Sequence, residues 1–210
     1  ASRPALLGGL GLGADVALGQ EGDSSPPHVH LQRGFAVTAS RDATVLVWDL
    51  PRLEQVGSPL TGHRSCVTAV WADQNRQRIL SASYDRSILV WDGMQGKRRA
   101  TLHGHTDAVL SVDADPRGRW TLTGSGDHTL KVWDVERQRC LVTLAGHSAG
   151  VTTSVADFSR KLGLSGSRDT TVRLWKLNTG KCLRVMGRHK SGVVAVSAGF
   201  AQQRALSVSD

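Results

Sequence analysis

The chain has 210 residues, of which 40% are hydrophobic and 21% are charged, with a formal net charge of +8. This composition excludes a disordered tail, and no apolar run reaches the roughly 18 residues of a membrane-spanning helix. We therefore expect a folded chain with no membrane association, long enough for one domain or for several repeated units that share a core.

The N-terminal 30 residues are rich in Gly, Ala and Pro and match none of the patterns that follow. We predict that 1–30 is an irregular segment or a degenerate strand. The chain starts with Ala1 and no basic patch precedes an apolar stretch, so we expect a part of a longer protein and no signal peptide. Three scattered cysteines without a CxxC pair favour a reducing compartment, cytoplasmic or nuclear.

A repeat of 42 residues dominates the rest of the chain. Histidine recurs at intervals of 42, tryptophan at 43, 42 and 42, and aspartate at 43, 42, 42 and 41. This period lies within the roughly 40 to 45 residues of one four-stranded propeller blade. The repeated residues are His63, His105, His147 and His189; Trp48, Trp91, Trp133 and Trp175; Asp42, Asp85, Asp127, Asp169 and Asp210.

Each period contains short apolar runs typical of strands. In 78–92, two such runs flank a turn at Tyr84, Asp85 and Arg86, and further runs follow each Gly-His pair and close each unit. No segment carries a helical apolar stripe with caps. We therefore predict an all-β propeller of four-stranded blades, with approximate units at 31–60, 61–102, 103–144 and 145–186 and an incomplete unit at 187–210.

Four features of this repeat together resemble the WD-repeat (WD40) family: a Gly-His pair, a Ser-Ala-Ser or Ser-Gly-Ser run, an aspartate turn and a terminal Trp-Asp. The resemblance covers about residues 31–210 and implies a β-propeller that binds other proteins and catalyses no reaction. In one unit the matching residues are Gly62-His63, Ser81-Ala82-Ser83, Asp85 and Trp91-Asp92.

The chain also departs from the family pattern. Trp175 is followed by Lys176, Arg188 separates the glycine from His189, and the first unit has no Gly-His pair. Propellers of this family typically close with seven blades, which requires on the order of 290 residues. We therefore expect an open arc of four to five blades with uncovered strand edges, so that the isolated chain is marginally stable or self-associates.

The resemblance implies a buried hydrogen-bond network in each blade. Histidine can bridge a carboxylate and a hydroxyl, and a buried indole N–H needs an acceptor. A set that recurs in several blades favours a structural role, because an active site is normally unique. The expected members are His63, Ser81, Asp85 and Trp91; His105, Thr123 (or Ser125), Asp127 and Trp133; His147, Ser165, Asp169 and Trp175.

Patterns that would bind a metal or a cofactor are weak. The pairs His28 and His30, and His103 and His105, have no cysteine or acidic cluster at metal-ligand spacing. The alternating glycines that begin at Gly9 do not complete a phosphate-binding GxGxxG motif. We expect no metal, no cofactor and no catalytic residue.

Partners of WD-repeat proteins usually dock on the narrow rim of the propeller. The family pattern places two sets there: the residue before each turn aspartate, and the residues that open each innermost strand. Because Arg and Tyr often anchor interfaces, we expect an acidic or phosphorylated peptide to dock across Arg41 and Arg168. The candidates are Arg41, Tyr84 and Arg168 in the first set and Cys66, Thr68, Leu110 and Thr152 in the second.

These observations predict a non-catalytic scaffold or adaptor that organises a multiprotein complex. The positive charge keeps open an association with nucleic acid or another polyanion, although no aromatic residues are interleaved with a basic cluster. A regulatory or sensor module of a larger enzyme is a third possibility. The Trp-Asp-x-Arg motif of cullin-type ubiquitin ligase receptors is absent, because Pro51, Met94 and Glu136 stand in its last position.

Overall fold

The computed structural model describes residues 29–32, 34–73 and 77–210. All regular structure in these residues is β, which confirms the predicted class. This part of the chain contains no helix able to cross a membrane. Most of the predicted N-terminal segment, including His28, lies outside the described residues, whereas its last two residues, Val29 and His30, belong to the first strand.

The described residues form 19 strands in five antiparallel sheets, which follow one another along the chain and are called blades 1 to 5. Blade 1 contains β1 (Val29–Gln32), β2 (Phe35–Ala39), β3 (Thr44–Asp49), β4 (Glu54–Gln55) and β5 (Leu60–Thr61). Blade 2 contains β6 (Val67–Ala72), β7 (Arg78–Ser83), β8 (Ile88–Asp92) and β9 (Lys97–Leu102). Blade 3 contains β10 (Val109–Ala114), β11 (Trp120–Ser125), β12 (Leu130–Asp134) and β13 (Arg139–Leu144).

Blade 4 contains β14 (Val151–Asp157), β15 (Leu162–Ser167), β16 (Thr171–Lys176) and β17 (Lys181–Gly187), and blade 5 contains β18 (Val193–Gly199) and β19 (Arg204–Ser209). Each blade pairs its strands in chain order, from an inner strand outward, while in blade 1 the outer position is divided between β4 and β5, which both pair with β3. Blades 2, 3 and 4 are therefore complete four-stranded sheets, as the repeat predicts.

The hydrophobic core lies between the blades. Each core cluster is shared by two neighbouring blades; for example, Val37 and Val47 of blade 1 pack with Val70 and Trp91 of blade 2. A blade covered on both faces needs apolar side chains on both, which explains why all of Ile88–Asp92 is buried. The short apolar runs of the sequence are the central strands of such blades.

Neighbouring blades interlock through a valine that inserts beside a small residue. A Cβ added at Gly166 would lie 2.5 Å from Cγ1 of Val193, and one added at Gly124 would lie 2.7 Å from Cγ1 of Val151, so only glycine leaves room for these valines. At the corresponding position of blade 5 stands Val208, which is 57% exposed. Gly124 faces Val151 and Gly166 faces Val193 in this way, and at the equivalent positions Ala39 shares a core cluster with Val67 and Ala82 with Val109.

The five blades form an open arc. They pack in chain order, from β1 and β2 on β6 to β14 on β18, and do not close into a ring, as predicted. In blade 5, Leu206 is 76% exposed, whereas its counterparts Leu80 and Leu122 are fully buried by the following blade. The described residues therefore leave the outward face of blade 5 as an uncovered apolar sheet surface.

Candidate functional site

A hydrogen-bonded set of four side chains lies inside blade 3. Nδ1 of His105 is 2.7 Å from Oδ2 of Asp127, and Nε2 is 2.8 Å from Oγ1 of Thr123. The indole Nε1 of Trp133 donates to the same Thr123 oxygen over 2.8 Å. With Nδ1–H donating to the carboxylate, Nε2 accepts the threonine hydroxyl proton, and every polar atom of the set has a partner.

Blades 2 and 4 contain the same arrangement. Nδ1 of His63 is 2.8 Å from Asp85 and Nδ1 of His147 is 2.7 Å from Asp169. In both blades the serine hydroxyl lies 2.8 Å from the histidine Nε2 and accepts the indole N–H over 2.8 Å, through Ser81 and Trp91 in blade 2 and through Ser165 and Trp175 in blade 4. The structure thus brings together all twelve predicted network residues, with Thr123 rather than Ser125 as the hydroxyl in blade 3.

The aspartate of each set also fixes two loops. Asp127 accepts the backbone N–H of Thr106, beside the histidine, and that of Thr129, beyond the turn. The turn residue that follows each aspartate has a left-handed backbone, with φ of 70° at Arg86 and His128 and 68° at Thr170. Non-glycine residues rarely adopt this conformation, and the β-branched Thr170 least readily. The hydrogen bonds of the aspartate hold the turn in it.

Ionisation in these sets follows from burial and hydrogen bonding. Burial alone would raise the pKa of Asp85, but hydrogen bonds from Ser87 and from the Arg64 N–H outweigh it and hold that pKa at about 2. The pKa of Asp127 is likewise about 2, because the bonds from Thr129 and His105 outweigh burial. Burial lowers the pKa of His105 despite the adjacent carboxylate. The set therefore holds a neutral histidine and an ionised aspartate.

These contacts favour a structural role for the sets over a nucleophilic one. Each set of histidine, hydroxyl, aspartate and tryptophan is called a lock below. The three side chains resemble a hydrolase triad in composition, yet the hydroxyl-bearing residues Ser81, Thr123 and Ser165 are fully buried. Each hydroxyl oxygen is also occupied by an indole N–H. A buried and fully bonded hydroxyl has no access to a substrate, so the geometry favours a structural use of these residues.

Blade 1 has a partial version of the lock that the sequence reasoning overlooked. The indole Nε1 of Trp48 donates to Oγ1 of Thr38 over 2.9 Å, and Asp42 accepts the N–H and the hydroxyl of Thr44. The run Thr38-Ala39-Ser40 ahead of Arg41-Asp42 was the available signal, because it has the same spacing as Ser81-Ala82-Ser83 ahead of Tyr84-Asp85.

Blade 5 corrects one prediction. Asp210 does not occupy the turn-aspartate position in which the 41-residue interval places it. His189 contacts Ser207 over 2.7 Å and Ser209 over 3.0 Å, which aligns Ser207 with Ser81. The N–H of Asp210 bonds the Gly192 carbonyl, as the N–H of Arg168 bonds that of Gly150. Asp210 therefore lies one residue earlier, at the rim position that precedes the turn aspartate.

The two predicted rim sets meet at one edge of the arc. The N–H of Tyr84 donates to the Cys66 carbonyl over 3.0 Å, and the N–H of Arg168 donates to the Gly150 carbonyl over 2.9 Å. Across the blade boundary, Cβ and Cγ of Arg168 lie within 3.8 Å of the position that a Cβ of Gly192 would take. The positions before each aspartate and those opening each inner strand thus form one continuous edge, called the rim.

Exposure differs among the rim candidates. Arg41, Tyr84 and Arg168 are exposed, while Cys66, Thr68, Leu110 and Thr152 are half-buried. Burial raises the pKa of the Cys66 thiol, an effect that the charge of Arg41 partly offsets. The exposed arginine and tyrosine side chains are the rim groups best placed to meet a partner.

The two threonines of the second set are engaged in contacts between blades. Oγ1 of Thr68 lies 3.0 Å from the carbonyl oxygen of Ala82 and 2.5 Å from that of Val109 in the next blade, so the two carbonyls share its one hydroxyl proton. Oγ1 of Thr152 bonds Gly166 and Val193 in the same way. Both threonines sit at a break in the pairing register of the inner strand, and this β-bulge turns the hydroxyl toward the neighbouring blade.

The three cysteines and His103 lie outside the locks. All three cysteines are free thiols. Cys140 and Cys182 occupy equivalent strand positions opposite Trp133 and Trp175. His103 is exposed. Among residues 29–32, 34–73 and 77–210, no three His, Cys, Asp or Glu side chains are grouped so that they could hold a metal ion.

Comparison with known proteins agrees with this architecture. The profile of the family described as "WD domain, G-beta repeat" matches residues 54–92, 96–134 and 138–176, more than half of the chain. The chain belongs to the WD40 repeat family. Each match starts at the outer strand of one blade, or just before it, and ends with the third strand of the next, so one WD40 sequence repeat spans two blades.

Several curated WD40 relatives match a part of the chain. It is 39% identical over 61 residues to Ribosome assembly protein 4 of Saccharomyces cerevisiae, covering 29% of this chain and 12% of the relative. It is 33% identical over 62 residues to human DDB1- and CUL4-associated factor 10, covering 30% and 11%. It is 38% identical over 68 residues to Small ribosomal subunit protein RACK1 of Caenorhabditis elegans, covering 29% and 21%. The matched part is thus a small share of each relative.

Proposed function

We propose that this WD40 chain is a non-catalytic scaffold or adaptor whose rim binds another protein. The observation that supports the proposal is a contrast between two groups of residues, those of the locks and those of the rim. The histidine, hydroxyl, aspartate and tryptophan of blades 2, 3 and 4 repeat with nearly identical distances; the first two and the tryptophan are buried, and the aspartate is half-buried. The residue before each turn aspartate, by contrast, is Arg41, Tyr84, Gly126 or Arg168, and the arginines and the tyrosine are exposed. Constant buried locks and a varied exposed rim suit a recognition platform.

The charge on this rim supports an acidic or phosphorylated partner segment. Arg41 and Arg168 are exposed, and a guanidinium group can bind a carboxylate or a phosphate through paired hydrogen bonds. Asp169, next to Arg168, is already bonded to His147 and to the Ser148 N–H. The neighbouring carboxylate is therefore occupied within the lock and leaves the arginine to a ligand.

The names of the relatives support a place in large assemblies. Two of them refer to the ribosome and one to an association with DDB1 and CUL4. Together with three free thiols, this supports the proposal of a cytoplasmic or nuclear protein that organises a complex. The missing Trp-Asp-x-Arg motif gives no support to a cullin-linked role.

Affinity capture from cell extract with a rim variant tests the scaffold proposal. We expect Arg41→Ala/Tyr84→Ala/Arg168→Ala to lose partners that the wild type captures. Arg98→Ala/Arg139→Ala, which changes two exposed arginines on outer strands, should retain them. Identical partner sets for the wild type and the rim variant would contradict the proposal.

A binding titration tests the finer proposal about peptide chemistry. A fluorescent phosphoserine peptide and its unphosphorylated counterpart are compared by anisotropy. We expect each of Arg41→Ala and Arg168→Ala to weaken binding of the phosphorylated form by about tenfold, because each removes a charge-assisted pair. Binding that is unchanged in the double variant would remove these arginines from the site.

A further inference from the structure

The last residue of the third strand carries the aspartate of the Trp-Asp pair in blades 2 and 3. In blade 2, Asp92 lies between Arg78 on one neighbouring strand and Lys97 on the other. In blade 3, Asp134 lies opposite Arg139. Both aspartates are buried, at 6% and 0% exposure. Each is thus a buried anion beside a basic residue at the end of the blade opposite the rim.

This aspartate also satisfies the turn to the outer strand. Oδ1 of Asp92 accepts the N–H groups of Met94 and Gln95, both over 2.9 Å, and Oδ2 accepts the guanidinium of Arg99. Asp134 accepts the N–H and the side chain of Arg137. The carboxylate therefore neutralises nearby positive charge and accepts turn N–H groups in the same place.

Blade 4 has the opposite charge at this position. Lys176 replaces the aspartate, is half-buried, and lies directly opposite Lys181 of β17. The backbone of Lys161 also lies beside this position, because its carbonyl accepts the N–H of Leu177 over 2.9 Å. Like charges opposite each other on adjacent strands destabilise a sheet. The turn carries a positive group where blades 2 and 3 hold a negative one.

Among the described residues, no salt bridge joins Lys161, Lys176 or Lys181 to a carboxylate. The sequence contains no acidic residue between Asp169 and Asp210. Asp157 ends the inner strand of the same blade and pairs with Leu162, on the side away from Lys181, and its two oxygens are bonded to Ser159 and Arg160. The three lysines Lys161, Lys176 and Lys181 form a cluster that lacks a counter-ion from the described part of the chain.

We infer that the lysine cluster Lys161, Lys176 and Lys181 is a second docking site, which takes a carboxylate from an acidic segment of a partner protein. The partner carboxylate stands where Asp92 and Asp134 stand in the other blades. The backbone N–H of Asn178 is at the position whose counterpart, in Met94, donates to Asp92, whereas the N–H of Thr179 donates to the Lys176 carbonyl over 3.2 Å. The site accordingly combines lysine charge with the Asn178 N–H of the turn.

The surroundings favour a protein carboxylate over a nucleic acid. Binding of single strands relies on exposed aromatic side chains on which bases stack. Near the cluster, Trp175 is fully buried, and Phe158 is half-buried and packs against the core between blades 3 and 4. The cluster lies at the end of β16, whereas the rim residue Arg168 precedes the start of that strand. The site is therefore separate from the proposed rim, and binding at the two sites can be tested independently.

Anisotropy of a fluorescent peptide of about ten glutamates, at low salt, tests the inference. We expect Lys176→Asp to weaken binding about tenfold or more, because it restores the internal acid and removes the site. Lys190→Asp makes the same charge change on an exposed loop and should alter binding less than about twofold. Lys181→Gln, on the exposed outer strand, should also weaken binding and serves as the second site variant if Lys176→Asp does not fold.

Three outcomes would overturn the assignment. Equal weakening by Lys176→Asp and Lys190→Asp would show a diffuse charge effect. Tighter binding of a single-stranded oligonucleotide than of the glutamate peptide, lost in Lys176→Asp, would assign the cluster to nucleic acid. Absence of hydrogen-exchange protection over 176–181 on adding the peptide would place binding elsewhere. Phosphoserine-peptide binding through Arg41 and Arg168 is measured in parallel, so failure of either site is distinguishable.

Discussion

Nδ1 of His147 lies 2.7 Å from Oδ2 of Asp169, and the same atoms of His105 and Asp127 are also 2.7 Å apart. Each contact joins the loop that enters a blade to the turn between its second and third strands, across 22 residues of sequence. Because the histidine also reaches the hydroxyl that holds the tryptophan, one ring ties three parts of the repeat together. The lock is thus the link between the 42-residue period and the blade geometry.

Loss of the central hydroxyl should destabilise the chain. Thr123→Val keeps the shape of the side chain but leaves Nε2 of His105 and the indole N–H of Trp133 buried without a partner. Unsatisfied buried groups cost about 1–3 kcal/mol each, so we expect a loss of about 2–4 kcal/mol in urea unfolding. Thr106→Val, at an exposed position whose hydroxyl makes no bond, should change stability by less than about 0.5 kcal/mol. Equal effects would argue against the lock.

Acidification should destabilise the chain in two stages. Burial lowers the pKa of His105 and His147 in the folded state, so below the unfolded pKa of about 6.5 the unfolded chain binds more protons. Stability is then lost as the pH falls, by at most about 1.4 kcal/mol per pH unit for each histidine. The pKa of Asp85 and Asp127 is about 2 in the folded chain, so their contribution is lost between about pH 4 and pH 2.

Urea unfolding at a series of pH values measures this dependence. His105→Gln/His147→Gln should flatten the first stage, between pH 7 and pH 5, while the second stage remains. A wild-type stability that is constant or rises from pH 7 to pH 5 would show that the histidines become protonated in the fold, contrary to the burial effect.

Much of the fold and of the locks follows from sequence, because periodic residue types report directly on repeated contacts. His63, Ser81, Asp85 and Trp91 are predictable since each unit must satisfy the same buried polar atoms. Less was predictable where a contact depends on strand register. The bulges at Thr68 and Thr152 turn hydroxyls toward the next blade, and a one-residue shift moves Asp210 from the turn to the rim.

The lysine cluster shows the same limit. The sequence reveals Lys176 in place of an aspartate, but only the strand register places Lys181 opposite it. The rim candidates came from the family pattern rather than from any contact, so sequence could not distinguish the exposed Arg168 from the bonded Thr152. The sequence was sufficient to name the candidate residues, whereas their exposure and hydrogen bonding could be determined only from the structure.

The space beside Gly166 should be essential for packing between blades 4 and 5. In Gly166→Ala, the new methyl group would lie 2.5 Å from Cγ1 of Val193 and 2.8 Å from Cγ2 of Thr153. Overpacking of this kind typically costs about 1–3 kcal/mol. Adding Val193→Ala should recover part of that loss, so the double variant should be more stable than the sum of the two single effects predicts. Strict additivity in urea unfolding would show that the two side chains do not compete for space.

The uncovered face of blade 5 should make the chain self-associate. Leu206 and Val208 are 76% and 57% exposed and project from the same face of β19. The described residues place no strand on that face or along the outer edge of β19, and an exposed apolar strand edge is a template for pairing with another chain.

We expect size exclusion with light scattering to show oligomers whose mass rises with concentration. Leu206→Glu/Val208→Thr should shift the population toward monomer, whereas Leu53→Glu, at an isolated exposed leucine of blade 1, should not. A wild-type chain that elutes as a monodisperse, cooperatively melting monomer would contradict this expectation, because it would mean that the exposed face contributes too little apolar area to hold a second copy.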